Sequence, residues 1–121
     1  MLNAQFNWPF TTVTIASGAS LSGTIEMGRC NLFSIAMPAA WTAANLTFSV
    51  SIDGVNFLNL HDQSGVETSI PVAASRHIGG LDVLAYGSFS YLRIRSGTAG
   101  VPVNQAADRV LTLMLRNAGG Q

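Results

Sequence analysis

The sequence predicts an all-β fold: an antiparallel β-sandwich of jelly-roll type, about eight strands, with an N-terminal arm. Three observations carry that expectation. Short runs of alternating apolar and polar residues recur along the chain, separated by Gly, Pro, Asn and Ser turns. A strong hairpin signal, Asp53-Gly54, lies between two such runs in LTFSVSIDGVNFLNL. About eight such short strands follow one another at turn-separated intervals, the pattern of an antiparallel sandwich. One domain of 121 residues buries roughly two-thirds of its unfolded surface. The expected division is an arm over residues 1–10, a sandwich over 11–116 and a tail over 117–121.

The hairpin organises the rest. Leu46, Phe48, Val50 and Ile52 share one face, and Thr47, Ser49 and Ser51 the other. A two-residue Asp53-Gly54 loop would set Phe48 opposite Asn59. A type I turn at Ile52-Asp53, with Gly54 left-handed in a bulge, sets Phe48 opposite Leu58 and Leu46 opposite Leu60. The second register is preferred, because it pairs apolar with apolar on the buried face.

In chain order, Met1–Phe10 brings Phe6, Trp8 and Phe10 together in an arm, where Pro9 removes a ladder donor and extends Trp8. That arm either tucks under its own domain or anchors on a neighbour. Thr11–Ile15, Leu21–Met27 and Leu32–Met37 read as strands, with turns at 17–20 and 28–29. Pro38–Ala44 connects, with Trp41 as a plug over one end of the core. Val66–Val72 reads as an edge strand because Pro71 interrupts it. Residues 73–80 read as irregular, and 81–86 as one or two helical turns. Phe89–Ile94 is a strand placing Phe89, Tyr91, Arg93 and Arg95 on one face, which must be wet or matched by carboxylates or a partner. Ser96–Ala107 is a long loop of small residues, of the kind that usually has a function or a partner. Asp108–Arg116 has apolar residues on both faces, the pattern of a central strand covered from two sides.

The totals exclude several classes. Formal net charge is zero, which removes the electrostatic footprint of a nucleic-acid binder. All six basic residues are arginine, a residue that forms forked ion pairs at interfaces when composition alone does not account for it. Charged residues make up 10% and apolar residues 48%, so a low-charge surface is expected to be covered in part by a partner or by further copies. Cys30 is the single cysteine, expected as a small buried hydrophobe; it permits neither an internal disulfide nor a thiolate metal cluster. No apolar run suits a membrane helix and no signal peptide is expected, so synthesis and folding are assigned to a reducing cytosol.

Catalytic signals are thin. His61, Asp62 and Glu67 sit on a turn and the strand after it, facing solvent. His77 follows Arg76 with no carboxylate nearby in sequence, and Ser88 and Ser90 lack the nucleophile-elbow glycines. Asp53 has a complete structural reason to stand before Gly54. Arg93, Arg95 and Arg109 could bind an anion if they converged, but are expected to pair with Asp82 and Asp108 or with another chain. No enzyme, cofactor or metal is expected.

The stretches PAAWTAANLTFSVSIDGVNFLNL (38–60) and YLRIRSGTAGVPVNQAADRVLTLMLR (91–116) resemble a family of small virion proteins encoded by tailed bacteriophages and prophages. The similarity covers about two-thirds of the chain. It implies a capsid decoration (cement) protein or a head-fibre component, located in the virion. The implied partners are the chain itself, as a homotrimer, and the major capsid protein or another virion protein. Nucleic acid and membrane are not among them. Candidate contact residues are Phe6, Trp8 and Phe10 in the arm, Arg93 and Arg95 on the late strand, and Thr98, Val101 and Asn104 in the long loop. The alternatives are a carbohydrate-binding module or fibre component that takes host polysaccharide on Tyr86, Tyr91 or Trp41, and a tail or neck connector.

Overall fold

The computed structural model describes residues 10–82 and 84–117, and all of its regular structure is β. The strands are β1 (Phe10–Ile15), β2 (Ile25–Glu26), β3 (Cys30–Ala36), β4 (Leu46–Ser51), β5 (Leu58–Asn59), β6 (His77–Ile78), β7 (Tyr91–Ser96) and β8 (Arg109–Asn117). They form two antiparallel four-stranded sheets, ordered β1-β8-β3-β6 and β2-β7-β4-β5. The result is a β-sandwich.

The pairing is nested: β4 pairs with β5, β3 with β6, β2 with β7 and β1 with β8. The chain behaves as one long double strand folded at the β4–β5 loop and then split between two layers. β3–β8 and β4–β7 complete the sheets. The inward side chains of the longer strands fill the space between the layers with Ile15, Leu32, Ile35, Leu46, Phe48, Leu92, Ile94, Leu111 and Leu113, all fully buried. Tyr86 closes against Phe48 edge-on, with ring centroids 5.5 Å apart.

Several expectations are corrected in detail. The hairpin register is neither of the two considered: Val50 faces Leu58 and Ser49 faces Asn59, and the Leu60 amide donates to the Phe48 carbonyl. Apolar still meets apolar, but the loop is wider, because the Asp53 side chain builds its own turn. Val66–Val72 is not a strand; only isolated bridges Glu67–His61 and Ile70–Leu46 occur there. Residues 73–80 contain β6, too short to show a period. Around 81–86 the Asp82 carbonyl accepts from the Ala85 and Tyr86 amides, one turn that continues into no helix.

The first sandwich strand begins at Phe10, which the arm was expected to include, and β8 extends to Asn117, expected in the tail. Phe6 and Trp8 lie outside the described residues. β8 is central, but only its Leu111, Leu113 and Leu115 face is covered by the other sheet; Val110 is exposed, and Thr112 and Met114 are half-buried. Cys30 is half-buried, packed against the core.

Candidate functional site

Antiparallel pairing sets the two ends of the second sheet apart. Leu46 faces Ser96 at one end and Ser51 faces Tyr91 at the other, so the loop after β7 and the loop after β4 lie at opposite ends of the sandwich.

At the β4 end, Asp53 fixes the loop. Its carboxylate accepts from the Val55 and Asn56 amides, both at 2.8 Å, from Asn56 Nδ2 at 2.8 Å and from the Ser51 hydroxyl at 2.9 Å. Gly54 takes the left-handed conformation expected of it, with φ 80°. This wide Asx turn lifts three apolar side chains into solvent: Ile52, Val55 and Leu58 are 81%, 80% and 75% exposed. Ile52 was expected on the buried face; the chain leaves the ladder at Ser51, which frees it.

The four bonds also hold the Asp53 carboxyl well below the usual carboxylate range, the Asn56 amide first, then the Val55 amide, the Asn56 side chain and the Ser51 hydroxyl. A depressed folded pKa stabilises the protein above the unfolded carboxyl value, near 4, and that contribution is lost as pH falls toward the folded value. Asp53→Asn is therefore expected to shrink the fall in melting temperature between about pH 6 and about pH 3, measured by scanning calorimetry. An unchanged pH slope would refute that role.

At the β7 end, residues 97–102 form a short, closed loop. Gly97 bridges Pro102, the Thr98 amide donates to the Val101 carbonyl, and the Val101 amide donates to Thr98 Oγ1. Thr98, Val101 and Asn104 are exposed, Val101 by 71%. Gln105, by contrast, is buried. Its Nε2 donates to the Thr42 carbonyl and Ser96 Oγ, and its Oε1 accepts from the Thr42 amide and Arg109 Nε. The long loop thus contains an internal tie to the Trp41–Ala44 connector. Nothing in the composition of VPVNQAAD distinguishes Gln105 from its exposed neighbour Asn104, because the distinction comes from Thr42, 63 residues away in the chain, meeting Ser96 and Arg109 there.

The arginines do not converge. Arg93 stacks over Phe57, 3.8 Å from the ring centroid, and donates to Thr24 Oγ1. Arg95 pairs with Glu67 at 3.4 Å and reaches Asn59 Oδ1 and Thr47 Oγ1, while Glu67 also accepts from the Ala99 amide. Arg109 belongs to the other sheet and serves Gln105 and Thr42. Asp82 and Asp108, the expected partners, instead accept from the Leu84 and Ser17 amides. The expected match of the Arg face by carboxylates is met at Arg95 by Glu67, and Arg93 is met by an aromatic ring and a hydroxyl.

The aromatic residues considered for sugar binding are occupied. Tyr86 is buried, and desolvation followed by the Asp82 charge pushes its phenol above the ordinary value. Trp41 packs against the core and donates its indole N–H to the Ala44 carbonyl at 3.0 Å, the plug role expected of it. Tyr91 is half-buried, against Gly54. Among the described residues no group of three or more His, Cys, Asp or Glu side chains could hold a metal ion, and no helix is long and apolar enough to cross a membrane. No family model, curated protein or solved structure matches this chain.

Proposed function

We propose that this chain is a virion structural protein of a tailed bacteriophage, a capsid decoration protein that binds and stabilises the head shell as a homotrimer. The observation that carries the proposal is the rigid apolar tip at Ile52, Val55 and Leu58. Apolar side chains presented on a loop already fixed by its own hydrogen bonds lose little conformational entropy on docking. A further exposed apolar residue, Val101, stands on the closed loop at the far end. Such a two-ended module suits bridging, where several modest contacts on one shell add by avidity. The nested strand order supports the jelly-roll assignment, an architecture common in viral shell and lectin domains. The family resemblance in residues 38–60 and 91–116 points the same way.

Antibodies raised against the protein are expected to label the heads of phage particles produced by the strain that encodes it. Labelled tails would replace decoration with a connector role, and particles without label would refute a virion role. The variant Ile52→Ser/Val55→Ser/Leu58→Ser is expected to bind purified heads at least about tenfold more weakly, since each buried side chain contributes on the order of 1 kcal/mol or more. Its melting temperature should stay close to that of the parent. Unchanged binding would remove the tip from the contact.

A further inference from the structure

β1 is the outermost strand of its sheet: β8 pairs with one side of it, and no described residue pairs with the other. Natural sheets guard such edges with charges, Pro, bulges or very short strands. β1 has none of these. FTTVTI is uncharged, rich in β-branched residues, and paired to β8 in unbroken register over six residues. Its inward side chains, Val13 and Ile15, already belong to the core.

Among the described residues the sandwich is open beside this edge. The facing sheet ends in β2, only two residues long, and a cleft of about 430 Å³ lies between the two edges. Val13, Ile25 and Leu115 supply its apolar wall and Thr11, Gly23 and Thr24 its rim. An added strand would complete both features, pairing its backbone with β1 and directing alternate side chains toward the cleft.

The chain contains a segment of that character. In residues 2–8, Leu2, Ala4, Phe6 and Trp8 alternate strictly with Asn3, Gln5 and Asn7, with no charge and no proline. At about 3.3 Å per residue, seven extended residues span about 23 Å and the six of β1 about 20 Å, so the lengths match. The segment is attached at the start of β1 itself. To lie along its own edge it would have to reverse at Trp8-Pro9, which offers none of the Gly or Asn positions that a tight hairpin requires, and the residue before a proline is held extended. An extended Trp8-Pro9 junction would direct the segment away from its own edge and toward another molecule's.

We infer that the open edge of β1 is a strand-receiving site whose occupant is Leu2–Trp8 of a second copy of this chain. The exchange is homotypic, so each copy both donates a segment and offers an edge. It is independent of the head shell, and a failure of the decoration proposal would leave it standing.

The test uses the full-length chain and the full-length variant Phe6→Asn/Trp8→Asn, which keeps the length but removes the large apolar groups. Light scattering behind a sizing column gives the mass, and hydrogen exchange reads the amides of β1. The parent is expected to have at least twice the 12.7 kDa chain mass, with slow exchange at β1. The variant is expected at one chain mass, folded by circular dichroism, with β1 exchange at least tenfold faster. A monomeric parent would overturn the inference, whether its β1 is fast-exchanging or protected by its own arm. An oligomer that persists in the variant would overturn it too, as would dissociation without any change at β1, because either places the contact elsewhere.

Discussion

Gly97→Ala is expected to destabilise the protein by about 3 kcal/mol or more, the sum of a left-handed backbone cost and an overpacking cost of similar size. Gly97 has φ 89°, and a Cβ there would lie 2.6 Å from the Val101 carbonyl oxygen and 2.7 Å from the Val103 amide nitrogen. Both are backbone atoms, so no rotamer change can relieve the overlap. The residue is also committed on its other sides. Its carbonyl accepts from the buried Thr47 hydroxyl at 2.6 Å, and its amide donates to the Asn45 carbonyl at 2.8 Å. Relaxation of the loop would therefore strain the start of β4. Gly18→Ala is the control: φ is 79°, but nothing lies within 4 Å of the new carbon. It should cost only the backbone component, about 1 kcal/mol. Urea titration of both variants measures the difference, and equal losses would refute the steric account.

Gln105→Ala is expected to cost roughly 3 kcal/mol, lowering the melting temperature by about 10 °C. The amide side chain satisfies two donors and two acceptors at once. Its removal leaves the Thr42 amide and carbonyl, and the Ser96 hydroxyl, without that partner in a place from which Gln105 now excludes water. The loss should be specific to hydrogen bonding. Gln105→Met keeps most of the volume and should recover little of the stability, whereas a residue needed only for packing would be rescued. Differential scanning calorimetry of the two variants decides it. Because the same tie holds the 97–103 loop against the connector, both variants should also speed proteolysis in that loop.

Alternation and turn chemistry along the chain are enough for the sandwich class and most of its long strands. Local alternation suffices where a strand is five or more residues long and one face is buried, as in β1, β7 and β8; β4 is also covered on its Thr47, Ser49 and Ser51 face, and β3 carries a register shift between Leu32 and Ser34. Asp53-Gly54 likewise announced a turn, because the residues that build it are neighbours in the chain. Tertiary structure decided the rest. β6 is two residues long and carries no period; it exists because β3 presents a free edge to it. β5 is the return strand that the hairpin signal predicts, and only its register and its length of two residues were set by the fold. The hairpin register depended on how many hydrogen bonds the Asp53 carboxylate could gather, which no pairing rule counts. At Arg93 and Arg95 the alternation identified the shared face but not the partners, since Phe57, Thr24 and Glu67 reach that face from separate strands and loops. Gln105 is the clearest case. A glutamine in a polar loop reads as solvent-facing until Thr42 is brought against it: Arg109 and Ser96 lie four and nine residues away along the chain, but Thr42, which supplies both a donor and an acceptor, is 63 residues distant and arrives only through the fold.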